Sequence, residues 1–302
     1  MTGYPRRNMD LTEMALYGIA VGIASALPVS ADGIASAVGH FLSIDIPADG
    51  TAAAIACIGA LAAIAVRYLK KVFSALKGTA VMLYRAWGKG FSYADDSTED
   101  QRDVLMFILS LVPCCLIPAA GREITAVSRD QDIIVEGICF LLSGALLMSA
   151  SRSPRGESGD GTMKPWHALL IGTASVAGIF AGVSGFAAAL SAALLLGYEA
   201  SYSLRSALFT SAAAGIFAAF CGAGRITPAA IPDDWTGVAV CFAAATAVCF
   251  CASLLTAWLL KKEKTAVFAY LVMILGLITV ILGTVETVSG MPLAELIAAM
   301  KG

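Results

Sequence analysis

The sequence predicts an all-α polytopic membrane protein, on three observations. Of its 302 residues, 58% are hydrophobic and 14% charged, where soluble domains carry about 25% charged residues. Apolar runs of about 20 residues, the length that crosses a bilayer, recur along the chain, and mean hydropathy is +0.80. Two further apolar stretches stop midway, turn and restart, which a membrane tolerates only where protein or a water-filled cavity satisfies the freed backbone groups. A net charge of −2 leaves no basic footprint for nucleic acid. The eight cysteines fall almost entirely within apolar runs, with no Cys-x-x-Cys pair. They read as small buried hydrophobes rather than metal ligands or disulfides.

The first interrupted element runs through residues 11–26 and 33–43. A small-residue helical pattern reaches Ala26; Pro28 then removes a backbone donor and restricts its predecessor. Ser30, Asp32 and Gly33 follow, all residues that break or start helices. Each limb is too short to cross a bilayer, so the pair reads as re-entrant, a membrane limb rather than a cleavable leader. Residues 51–69 form the first full span, ending in Arg67, Lys70 and Lys71. Residues 72–103 are amphipathic, with Lys77 and Arg85, and then polar, with an acidic run from Asp95 to Asp103 read as a solvated face. Residues 104–120 and 133–150 span again, and 151–165, rich in Ser, Gly and Pro, reads as a linker. Residues 166–181 and 186–197 form the second interrupted pair. Spans at 203–222, 236–260 and 265–284 complete the set, with a short segment at 291–300.

The expected architecture is therefore six transmembrane helices plus two re-entrant helix pairs in one membrane domain, 1–302. Lys and Arg concentrate after the first, third and fifth spans, and the positive-inside rule puts those loops in the cytoplasm. The two interrupted pairs then enter from opposite faces. That makes an inverted-topology repeat with halves of about 11–152 and 164–286. Overlaying them sets Gly18 on Gly172, Ala20 on Ala174, Val29 on Val183 and Ser30 on Ser184.

The order and spacing of these features resemble the bacterial undecaprenyl-pyrophosphate phosphatases over about residues 11–285. The shared features are a Gly-rich re-entrant segment ending in Leu-Pro-Val-Ser, a following Gly, a linker, and a second re-entrant segment with Gly-Val-Ser. The resemblance implies two inverted repeats in the inner (cytoplasmic) membrane. It also implies removal of a phosphate from undecaprenyl pyrophosphate, with a divalent cation if that activity holds. The departures fall on the charged motif positions. Where the family's first motif has two Glu, Thr and His, this chain has Val21, Ser25, Asp32 and Ile34. Where the second has Arg, it has Gly185. Phosphoryl transfer needs charge stabilisation and activation of the nucleophile, which Gly185 and Ile34 cannot supply.

The candidate binding residues are Ser30, Asp32, Gly33, Gly182 and Ser184, with Ser30 and Asp32 as the catalytic pair if the chain is an enzyme. Each has a structural reading as well: Asp32, Ser30 and Ser184 as helix caps, Ser25 and Ser175 as packing residues. Arg205 and Arg67 read as snorkelling to the interface, His40 and His167 as interfacial, and Glu136 and Glu286 as solvated. On this chemistry the sequence favours a non-hydrolytic transporter, flippase or lipid-binding protein for a polyprenyl-phosphate or other anionic lipid. No cofactor is assigned on this reading, with a divalent cation only if the phosphatase activity holds, and a homodimer is left open. A divergent undecaprenyl-diphosphatase is the alternative.

Overall fold

The computed structural model describes residues 10–30, 33, 50–88, 98–120, 133–154, 156–180, 182–222 and 235–290. Asp32, His40, Arg155, the rest of 34–43 and the segment 291–300 lie outside the described residues. The molecule is an all-α polytopic membrane protein. Its helices are α1 (Leu11–Ala24), α2 (Gly50–Arg67), α3 (Leu69–Gly88), α4 (Glu99–Ala120) and α5 (Ile133–Ser151), then α6 (Pro165–Val176), α7 (Gly185–Leu195), α8 (Ala200–Gly222), α9 (Trp235–Lys261) and α10 (Thr265–Ser289). Helices α2, α4, α5, α8, α9 and α10 lie at the six expected spans. Among the described residues α5, α9 and α10 are each long and apolar enough to cross a membrane, and α2 joins them when taken with α3, from which it bends by 91°. Helices α1, α6 and α7 are apolar but short.

Local chemistry explains where the short helices start and stop. A capping box opens α1: the Asp10 carboxylate accepts from the Glu13 amide while the Asp10 amide donates to the Glu13 carboxylate at 2.9 Å, and the Leu11 amide also donates to Asp10 at 2.7 Å. At its other end Pro28 donates no amide, and the Ala26 carbonyl is taken by Thr256 Oγ1 of α9 at 2.6 Å. Pro165 occupies the first turn of α6, where its missing N–H costs nothing.

Small residues set the packing. Helix α1 lies on α9 and α2, and α6 lies on α4 and α8. A Cβ on Gly18 or Gly22 of α1 would run into the backbone of Cys241 and Ala245 in α9, and one on Gly172 of α6 into Ser110 and Pro113 in α4. Helix α5 pairs with α10 through a seam in which Gly137 and Gly276 approach each other's carbonyls. Close backbone approach of this kind drives helix association in lipid. Exchanging α1 with α6, α2 with α8, α4 with α9 and α5 with α10 maps these pairings onto themselves.

The linker expected at 151–165 is docked, not free. Ser158 forms a bridge with Tyr198, the Glu199 amide donating to the Ser158 carbonyl at 2.9 Å. Asp160 pairs with Lys71 of α3 and Arg205 of α8. Arg205 also reaches Asp103 at 3.1 Å, and Asp103 accepts from Tyr202 Oη at 3.0 Å and from the Gly161 amide at 2.9 Å. Arg205 thus meets carboxylates at the end of its span instead of snorkelling into headgroups, and its side chain is 18% exposed. Asp100 and Asp103 are likewise not a solvated face, because Lys71, Ser74, Tyr202 and Arg205 engage them. Arg67 donates to Ser253 Oγ at 2.9 Å, a partner in α9 rather than the interface. His167 is buried, with Nδ1 2.6 Å from Tyr198 Oη.

Burial would raise the Asp160 carboxyl, but the hydrogen bonds from Lys71 and Arg205 outweigh it and hold the group below its ordinary value of 3.8. Asp100 is held down chiefly by the Ser74 hydroxyl, whereas burial pushes Asp103 up. A depressed carboxyl stabilises the fold above its unfolded pKa, and that stability is lost as pH falls through the folded value. The clasp contribution of Asp160 and Asp100 is therefore full above pH 3.8 and lost on further acidification, with Asp103 acting in the opposite sense. Asp160→Asn is expected to cost about 1–2 kcal/mol at neutral pH, between the exposed and buried limits for ion pairs. Thermal melts of the detergent-solubilised protein should also show a shallower acid limb in that variant than in the wild type.

Candidate functional site at the crossed helix breaks

The two interruptions are built alike. At the first, the Ser25 hydroxyl donates to the Val21 carbonyl at 2.7 Å and the Leu27 amide to Ile23 at 2.8 Å. Pro28 is fully enclosed and Ser30 is buried. Ser30 Oγ accepts from the Gly33 amide three residues on, at 3.2 Å. At the second, a 3-10 turn at Ala177–Ile179 ends α6, and Gly182 turns the chain with φ +86. Ser184 then caps α7: its Oγ accepts from the Ala187 amide, again three residues on, at 3.1 Å. Ser184 is therefore a cap, and Ser30 makes the equivalent bond to an amide three residues on. Each hydroxyl keeps its proton and can still donate to a ligand.

The breaks meet. A Cβ built on Gly33 would stand 2.8 Å from the Gly182 Cα and 2.6 Å from Phe140 Cζ. A Cβ on Gly182 would overlap the Glu136 carbonyl. No side chain other than hydrogen fits at either position, so the backbones touch. Of the sequence candidates, Ser30, Gly33, Gly182 and Ser184 come together here, and Asp32 lies outside the described residues.

Helix α5 supports both tips, a role missed in the sequence. Phe140 packs on Gly33, Glu136 presents its backbone to Gly182, and Ser143 Oγ accepts from the Ser184 amide at 3.0 Å while donating to the Cys139 carbonyl at 3.1 Å. Positions 136, 140 and 143 share a helix face, and that spacing of polar and bulky residues was the available signal. Glu136 is 5% exposed, not solvated as expected. Its place in the first turn of α5 gives a carboxylate the favourable end of the helix dipole, and the Gly182 turn lies against its backbone.

The family model described as bacitracin resistance protein BacA matches residues 14–278. The chain belongs to the BacA family. A protein named undecaprenyl-diphosphatase from Magnetococcus marinus is 26% identical over 284 residues, covering 89% of this chain and 98% of its own length. One of the same name from Methanosphaera stadtmanae is 25% identical over 284 residues, covering 92% of this chain and 99% of its own. Undecaprenyl-diphosphatase 1 of Halalkalibacterium halodurans is 27% identical over 201 residues, 66% of this chain and 69% of its own. These names speak for the hydrolytic alternative of the sequence reading, and none of them for transport.

Within the BacA scaffold the described residues that depart from the resembled motifs are absorbed into packing. Val21 is buried between α1, α2 and α9. Gly185 sits against the Ser175 carbonyl and the Gly178 Cα, so a Cβ there would overlap the backbone. The place of the resembled motif's arginine is closed to any side chain.

Three outcomes follow. Gly182→Ala should destabilise the protein by about 1–3 kcal/mol through its left-handed backbone alone, with the overlap on Glu136 adding to that, as read by thermal melting. Ser184→Ala should cost about 1 kcal/mol as a lost cap. Gly185→Arg should lower the melting temperature and add no phosphatase activity, because the new side chain has no room beside Ser175.

Proposed function

We propose that the chain acts on a polyprenyl-diphosphate lipid at the crossed breaks, as a divergent undecaprenyl-diphosphatase of the cytoplasmic membrane. The observation that carries this reading is the meeting of the two capped breaks at Gly33 and Gly182, in a chain aligned along nearly the whole length of relatives named for that activity. The symmetric helix pairings support the inverted repeat with halves 11–152 and 164–286, in which the breaks reach one another from opposite faces.

The site's chemistry suits an anionic head. The N-terminus of α7, capped by Ser184, carries the positive end of the helix dipole. The Ser30 and Ser184 hydroxyls donate to phosphate oxygens, and the Gly33–Gly182 contact lets backbone approach the ligand closely. The prenyl chain lies along the exposed apolar faces of the helices. Among the described residues no three of His, Cys, Asp and Glu converge, so the described donors do not by themselves build a resident cation site. In the hydrolytic reading Ser30 and Asp32 supply the nucleophile and its activation.

A second reading, lipid binding or movement without hydrolysis, is favoured by one observation: Val21, Ser25, Ile34 and Gly185 stand where the resembled motifs carry Glu, Glu, His and Arg. The two readings separate in one assay. Purified protein in vesicles containing undecaprenyl pyrophosphate, with and without divalent cation, is expected to release phosphate above empty vesicles. Ser30→Ala and Asp32→Asn should each lower that rate about 100-fold. Lipid binding with no phosphate release would establish the second reading instead.

A further inference from the structure

We propose that α3 is an interfacial helix that docks on the anionic lipid headgroups of the leaflet at which α2 ends. It bends 91° away from α2 at Tyr68, so a helix that continues from a membrane crossing turns into the membrane plane. Lys70, Lys71 and Lys77 within its first three turns exclude its crossing the bilayer as a further span.

The two faces of α3 differ in what they meet. Lys71 and Ser74 bond Asp100, and Gln101 Nε2 donates to the Gly78 carbonyl at 2.8 Å. That face is seated on the N-terminus of α4. The opposite face carries Leu69, Phe73, Leu76 and Tyr84, which are 48%, 64%, 63% and 82% exposed. Positions 69, 73, 76, 80 and 84 fall in one stripe at about 100° per residue. An apolar stripe this exposed needs cover, and a neighbouring bilayer surface supplies it.

Charge selects the lipid. Lys71 is committed to Asp100 and Asp160. Lys70 and Lys77 are exposed and flank the apolar stripe about a quarter turn away, on the same side of it. With the stripe facing the acyl boundary, both ammonium groups stand at headgroup depth, the arrangement by which basic amphipathic helices select anionic leaflets. The docked helix also holds Lys71, and through it the Asp100–Asp160 clasp, at the membrane surface.

The test uses the full-length protein carrying Leu76→Cys labelled with an environment-sensitive nitrobenzoxadiazole probe, with the signal of the equally treated parent subtracted. Ala80→Cys on the same stripe repeats the measurement if the first variant fails to fold. In vesicles of phosphatidylcholine with phosphatidylglycerol, the probe should be quenched by acyl-brominated lipid and not by aqueous iodide. Bromolipid quenching should be at least twofold greater than in pure phosphatidylcholine, and Lys70→Gln/Lys77→Gln should abolish that difference. Quenching by iodide would put the stripe in water and overturn the proposal. Quenching by neither agent would mean that protein covers the stripe, a second copy included, and would overturn it equally. Equal bromolipid quenching in both lipid mixtures would overturn the charge-directed docking.

Discussion

A backbone amide or carbonyl in hydrocarbon has no water to bond, and every interrupted helix in this molecule creates several such groups. The structure answers the problem with short side chains and with closeness. Ser30 and Ser184 each accept from an amide three residues ahead. Thr256 reaches over from α9 to the Ala26 carbonyl, and Ser143 reaches from α5 to the Ser184 amide. These bonds are short-range, so they require the supporting helices to sit close, and glycine at the contacts permits it. The meeting of the two breaks follows from this requirement, because each tip helps to enclose the other.

The same economy explains how a scaffold can persist while its motif residues change. In the BacA family scaffold of this chain, the capping serines and the contact glycines serve the fold whether or not catalysis occurs. At Val21 and Gly185, where the resembled motifs carry charge, the space is given to packing. Gly185 goes further than simple loss, since the Ser175 carbonyl now occupies the space a side chain would need. The sequence reading weighted these losses toward a non-hydrolytic role, whereas the names of the relatives favour hydrolysis. Ser30 and Asp32 are where the hydrolytic reading finds its nucleophile and activation.

Much of the fold was legible because its signals are local. Apolar run length placed the long helices, and Pro28, Ser30, Gly33, Gly182 and Ser184 marked the breaks by their own backbone chemistry. What escaped depends on partners far away in sequence. Arg205 and Asp160 read as snorkelling and linker residues until the chain brings Lys71 and Asp103 to them. His167 reads as interfacial until Tyr198 stands beside it. Glu136 reads as a solvated carboxylate, because nothing in its own neighbourhood announces that the Gly182 turn will come against it. The packing of α5 beneath both tips could be suspected only from the spacing of Glu136, Phe140 and Ser143.

The central claim is that the two helix breaks touch at Gly33 and Gly182. A cryo-EM map of the protein in lipid nanodiscs, at a resolution that traces the backbone, measures this directly. The account predicts the two glycine backbones in van der Waals contact with Phe140 packed against them. Breaks separated by a helix diameter, about 10 Å, or either stretch traced as an uninterrupted membrane-crossing helix, would contradict it.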